Sequence, residues 1–247
     1  MIDFHTHILP GIDDGSAGIE ESEALLSYLA VQGVDTVALT PHFYPQTTGI
    51  MQFLESRDAA CERLKPILKN ETPQILVGAE VYYYQGISRM ADLGQLRLGE
   101  TKLLMIEMPM KAWSEYMVKE LLDISCRGSV RLMLAHIDRY LPMQKPGFLE
   151  PLLGQGVLVQ ANADFFLGGF LQTRRALKML TDGEIHVLGS DCHNTGSRRP
   201  HIGQAVDVIA EKLGDDFTKR FLDRGYHWLH KAAPVRKATA EDDSWNT

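Results

Sequence analysis

Imidazoles and carboxylates able to ligate a metal recur just beyond short apolar runs of the chain. His5 and His7 follow the first run, His42 the second and Glu80 the third; Glu107 lies near the end of the fourth, His136 follows the fifth, and Asp191 and His193 follow the seventh. A single polar residue at a loop mouth carries little information. Eight of them at six of seven run ends are hard to produce by chance if those ends meet in space. Mixed nitrogen and oxygen donors without thiolate suit manganese, iron or zinc, and this many donors exceed what one ion uses. The pattern predicts a multinuclear metal centre. An acidic turn, Gly11-Ile12-Asp13-Asp14-Gly15-Ser16, follows the opening pair of histidines. Taken alone it reads as a turn in which Ser16 or Asp14 caps the next helix. Beside two histidines, Asp14 is also a further candidate ligand.

The elements that must bring these groups together show in the periodicity. Apolar runs of strand length cover Ile2–His5, Val34–Thr40, Gln74–Gly78, Lys102–Ile106, Val130–Ala135, Gly156–Gln160 and Glu184–Leu188. Helix-period stretches alternate with them at Ile19–Gln32, Met51–Lys69, Trp113–Cys126, Phe148–Gln155, Gln172–Thr181 and Gly203–Lys212. In the first of these, Leu25, Leu26 and Leu29 share one face, acids crowd the first turn and Gly33 is the stop. Continuous apolar strands alternating with helices argue for a parallel sheet, and seven units argue for an α/β barrel. In such a barrel all strand ends open on one face. The domain is expected over residues 1–231, with a polar tail over 232–247.

Composition narrows the function classes. The chain has 247 residues, a net charge of −7 and 45% hydrophobic residues, enough for a sizeable core and against nucleic acid as a partner. No stretch approaches the ~18 apolar residues of a membrane helix, so no membrane insertion is expected. Cys61, Cys126 and Cys192 are widely spaced and lack a CxxC pair, which argues against disulfides and thiolate zinc. With no export signal at the start, a cytoplasmic protein is expected.

His5-Thr6-His7, Leu9-Pro10-Gly11-Ile12-Asp13-Asp14-Gly15, Thr40-Pro41-His42, Gly78-Ala79-Glu80, Ile106-Glu107, Ala135-His136-Ile137-Asp138-Arg139-Tyr140 and Ser190-Asp191-Cys192-His193-Asn194 form an ordered set. This set resembles the polymerase-and-histidinol-phosphatase (PHP) superfamily, and within it the bacterial metal-dependent protein-tyrosine phosphatases of capsule and exopolysaccharide synthesis. The resemblance implies a distorted seven-stranded (β/α)7 TIM-like barrel holding three divalent ions, manganese foremost, with iron, zinc or magnesium open at some sites. It implies His5, His7, Glu80 and Asp191 at one ion, Glu80 with Glu107 and His136 at the second, and Asp14, His42 and His193 at the third. It places Arg139 and Arg198 at the phosphate, with Arg199 the rival of Arg198. It implies hydrolysis of phosphotyrosine by a metal-activated hydroxide, on the tail of a bacterial tyrosine autokinase that controls polysaccharide synthesis. Phe43, Tyr44 and Tyr140 are candidates to flank the phenol, and either Asp138, where relatives commonly have Glu, or a metal-bound water is a candidate to protonate it.

Three alternatives stand beside this reading. Cys192-x5-Arg198 matches the minimal signature of a cysteine-dependent phosphatase, although its loop lacks the glycines of a tight phosphate cradle. The same superfamily contains histidinol-phosphate phosphatases acting on small phosphomonoesters. From another class, the chain would be a metal-loaded regulatory partner of the kinase. The segment Arg224-Gly225-Tyr226-His227-Trp228-Leu229-His230 departs from the family pattern, so the oligomeric state is left open.

Overall fold

The computed structural model describes residues 1–69 and 71–232. The expected tail lies outside them apart from Ala232, which ends the last helix. Nine strands are found among the described residues: β1 (Ile2–Thr6), β2 (Thr36–Leu39), β3 (His42–Phe43), β4 (Gln74–Val77), β5 (Glu80–Tyr82), β6 (Leu103–Glu107), β7 (Arg131–Leu134), β8 (Leu158–Asn162) and β9 (Val187–Gly189). All pairings are parallel, in the orders β1-β2-β4 and β3-β5-β6-β7-β8-β9. The sheet curls until β1 meets the segment after β9, where the His7 amide donates to the Cys192 carbonyl at 2.9 Å and the Asp191 amide to the His5 carbonyl at 2.8 Å.

Beyond the ends of two expected strands, at Thr40 and Gly78, the chain adds a second short strand each time, β3 after β2 and β5 after β4. Between β2 and β3, Pro41 cannot donate to the ladder. Between β4 and β5, Gly78 lies so close to Leu98 that a Cβ there would come within 2.4 Å of its side chain. The breaks stand level with each other, and the Glu80 amide donates across them to the Pro41 carbonyl at 3.0 Å. His42 and Glu80 therefore begin short strand segments of their own and face one another in register.

The helices are α1 (Ile19–Val31), α2 (Ile50–Leu64), α3 (Glu115–Cys126), α4 (Ile137–Tyr140), α5 (Glu150–Gly154), α6 (Phe170–Thr181), α7 (Ile202–Leu213) and α8 (Asp215–Ala232). Leu25, Leu26 and Leu29 of α1 are buried as the pattern requires, and Gly33 beyond its end takes φ +81°. Neither Ser16 nor Asp14 caps that helix, whose N-cap is Gly18.

Both faces of the sheet are covered, so the strands read as continuous apolar runs. Outward residues such as Val37, Leu104, Ile106, Leu132 and Val159 join the core under the helices. Inward residues Phe4, Ala38, Leu103, Met105, Met133, Leu158 and Val187 form a second core. Period two then carries each strand upward from that core: Leu103 and Met105 lead to Glu107, and Leu158 leads to Gln160 and Asn162. The register of β1 shifts between Asp3 and Thr6, which lets His5 face inward directly after inward Phe4.

The unexpected element is α8. Its residues Tyr226, Trp228 and Leu229 pack against the inner core at the N-terminal ends of the strands, Gly225 lies against Phe4, and Arg131 sits 4.4 Å over the Trp228 ring. No helix among the described residues is long and apolar enough to cross a membrane.

Candidate metal centre

All nine expected donors converge at the C-terminal ends of the strands. His5 Nε2 lies 3.2 Å from Glu80 Oε2 and 3.7 Å from Asp191 Oδ1; His7 Nε2 lies 3.3 and 3.5 Å from the same two atoms. His136 Nε2 stands 2.9 Å from Glu80 Oε1 and 3.7 Å from Glu107 Oε1. His42 Nδ1 stands 2.9 Å from Glu80 Oε2 and 3.7 Å from Glu107 Oε2. Asp14 Oδ1 is 3.4 Å from both His42 Nε2 and His193 Nε2. Three compact donor groups result: His5, His7 and Glu80; His42, Glu80 and Glu107; and His7, Asp14, His42 and His193. His136 and Asp191 border these groups. Among the described residues the backbone takes positive φ at two that are not glycine, and both belong to the cluster, His136 at 29° and Asp191 at 52°. Such strain persists where the surroundings hold it in place.

The hydrogen bonds show what this cluster fits. Nδ1 of His5 donates to Gln160 Oε1 at 3.1 Å, Nδ1 of His7 to Asp13 Oδ2 at 2.7 Å, and Nδ1 of His193 to the Asp191 carbonyl at 2.9 Å. With Nδ1 so committed, each ring in its neutral form presents its Nε2 lone pair to the cluster. Yet His5 Nε2 and His7 Nε2 are only 3.1 Å apart. Two lone pairs aimed at each other repel unless a proton or a metal cation lies between them. Glu80 Oε2, Glu107 Oε2, His42 Nδ1 and His193 Nε2 are buried and make no hydrogen bond, close as they are to one another. The donor set therefore fits divalent ions.

Charge is distributed unevenly across it. Burial disfavours the Glu80 carboxylate, but the surrounding imidazoles outweigh it and hold its pKa well below the usual range. Burial and the Glu80 charge push Glu107 upward instead. Burial likewise opposes a charge on His7, while Asp13 and Glu80 override it and raise its pKa to about 10, so without ions the ring holds a second proton that an ion bound at Nε2 would displace.

Sequence reasoning missed the residues that hold the donors. Gln160 Oε1 also accepts the His136 amide at 2.6 Å; Gln160 Nε2 donates to Asn162 Oδ1 at 3.0 Å, and Asn162 Nδ2 to Asp191 Oδ2 at 3.2 Å. Asp13 accepts the His42 amide at 3.0 Å as well as His7. Gly15 follows Asp13 so tightly that a Cβ there would lie 2.2 Å from the His7 carbonyl. The available signal was two polar side chains on the inward period of β8.

Two arginines overhang the cluster. Arg139 Nη2 donates to Asp191 Oδ2, and Arg198 Nη2 lies 3.2 Å from Asp191 Oδ1 with Nη1 3.5 Å from Asp14 Oδ2. Their side chains remain 34% and 36% exposed, so both are reachable from solvent. Arg199 turns away to His201. Tyr44 stacks on His42 with ring centroids 5.1 Å apart. Phe43 is instead a core residue, and the Tyr140 hydroxyl accepts the Met108 amide inside the protein. Asp138 Oδ1 accepts the Asn162 amide at 2.9 Å, and Asp138 lines a side pocket with Leu141 and Phe165. Cys192 is fully buried, and burial pushes its thiol well above the ordinary range. This placement removes the thiolate that a cysteine-dependent phosphatase needs.

The model of the CpsB/CapC family, described as capsular polysaccharide synthesis, matches residues 1–225. The chain belongs to the CpsB/CapC family. Among similar CpsB/CapC proteins, the tyrosine-protein phosphatase CpsB of Streptococcus pneumoniae is 31% identical over 239 residues, covering 90% of this chain and 96% of its own. The tyrosine-protein phosphatase YwqE of Bacillus subtilis is 28% identical over 223 residues, covering 87% and 86%. A solved structure from work on YwqE and CpsB, described as unique metal-dependent tyrosine phosphatases, superposes with a TM-score of 0.80 at 25% identity, covering 96% of this chain and all of its own. The CpsB/CapC match spans every donor and both arginines described above.

Proposed function

We propose that this site hydrolyses phosphotyrosine with three divalent ions, manganese foremost, held by the nine donors. The chain is a phosphoric monoester hydrolase of the metal-dependent protein-tyrosine phosphatase class, as family membership and the relatives support. One observation carries the reading to this site: two solvent-reachable guanidinium groups hang over a buried imidazole–carboxylate cluster whose facing nitrogens and unpartnered oxygens suit cations. His5, His7, Glu80 and Asp191 would hold one ion, Glu80, Glu107 and His136 the second, and Asp14, His42 and His193 the third. We read the curled sheet as a seven-staved barrel, with β2–β3 and β4–β5 each forming one stave.

When bound, the ions supply a nucleophile active at neutral pH and positive charge beside the phosphoryl oxygens. The protein's own groups do the rest. Arg139 and Arg198 each keep N–H groups beyond those spent on Asp191, and a planar fork bonds two phosphoryl oxygens at once. Asp191 fixes both forks against the cluster. Asp13 and Gln160 keep His7 and His5 in the tautomer whose Nε2 faces inward. Tyr44 offers a ring at the rim for the phenol. The substrate is the phosphotyrosine tail of a bacterial tyrosine autokinase in capsule or exopolysaccharide synthesis, met in the cytoplasm; a mobile tail suits an open mouth.

Elemental analysis and hydrolysis of a phosphotyrosine peptide, before and after chelation and return of manganese, test this. About three ions per chain and activity lost and restored in step with them are expected. Activity that survives complete metal removal sinks the reading.

A further inference from the structure

A groove of about 770 Å³ opens beside the centre. Its walls include Tyr82, Tyr84, Met110, Lys111 and Tyr116. It is continuous with the site by two routes. Along the chain, Tyr82 lies two residues beyond Glu80 and pairs in register with Glu107. Across the surface, Tyr82 adjoins Tyr44 with ring centroids 5.6 Å apart, and Tyr44 stacks on His42. A phenol docked against Tyr44 would therefore have its neighbouring residues at the groove's inner end.

The lining indicates what it takes. Its volume falls within the ~300–1,000 Å³ of ligand sites. Tyrosines and methionine supply apolar walls whose hydroxyls can still meet a peptide backbone. Lys111 is the single charged residue of the lining and makes no ion pair among the described residues, in a chain of net charge −7. A cation without an ion-pair partner on the wall favours an anionic neighbour.

We propose that this groove seats the residues flanking phosphotyrosine in the substrate peptide, and that Lys111 selects peptides carrying acidic side chains there. The proposal rests on the phosphatase reading of the adjoining centre and adds to it a peptide subsite with a charge preference.

Two phosphotyrosine peptides of equal length, one with glutamates and one with lysines on both sides of phosphotyrosine, test it. Turnover as kcat/KM and binding by fluorescence polarisation are read for the wild-type protein and Lys111→Glu. The wild type is expected to favour the acidic peptide by about fivefold at low salt, less as salt rises, and Lys111→Glu to abolish or reverse the order. A wild type indifferent to flanking charge, or a preference unchanged in Lys111→Glu, overturns the subsite. Charge-dependent binding that Lys111→Glu reverses, without turnover of either peptide by the wild type, supports the subsite and counts against the phosphatase reading alone.

Discussion

Asp13 decides what His7 can offer. By holding Nδ1 at 2.7 Å it leaves Nε2 as the free lone pair, and its second role, accepting the His42 amide, ties two donors to one carboxylate. Outer partners of metal-ligating histidines are worth 10–100-fold in affinity or activity. Asp13→Ala is expected to weaken manganese binding by about that factor, read by competition with a fluorescent chelator; a change under about threefold would remove Asp13 from the role. The convergence of these side chains was legible because histidines and acids in a repeated position are rare. Their supports were not: Gln160 and Asn162 are residue types found on any surface, and Asp13 passed as half of an acidic turn. What betrays them is burial, which a sequence shows only once the inward period of β8 is known.

Elements carry the next layer of constraint. Glu120 on α3 is buried and accepts from the Tyr83 hydroxyl at 2.6 Å, the Gly86 amide at 2.9 Å and the Ser88 hydroxyl at 3.0 Å. One side chain thus pins the loop after β5 to a helix from the next unit. Glu120→Ala strands three donors and is expected to cost about 3 kcal/mol in urea unfolding, with Glu120→Gln costing less because its amide oxygen still accepts. A loss below about 1 kcal/mol for the alanine would show that the loop is held otherwise. The expected helices between strands were found because their apolar residues recur at the helical period. The short strands beyond Pro41 and Gly78 were not foreseen, since each has only two or three residues and lies past the end of the apolar run. Nor was α8, whose apolar residues are diluted by charges and interrupted by Gly225.

At the scale of the whole molecule, the two ends of the curled sheet have opposite characters, polar donors above and an apolar core closed by α8 below. His186, just before β9, belongs to the lower end, where its Nδ1 accepts the Val159 amide at 3.2 Å near Trp228. Burial, with the charges of Arg131 and Arg224, pushes its pKa down to about 4. Unfolded, the same ring titrates near ~6.5. Its contribution to stability is therefore complete above pH ~6.5 and lost as pH falls toward 4, up to about 3 kcal/mol. His186→Gln should flatten the fall in unfolding free energy between pH 7 and 4 by that amount; an unaltered slope would mean that His186 is not the titrating group. The closed lower end also settles traffic. With α8 across the bottom and apolar side chains filling the middle, arrivals and departures share the upper mouth. On the proposed reading, a phosphate held by Arg139 and Arg198 would sit behind the peptide that delivered it and would leave second, the first group in being the last one out.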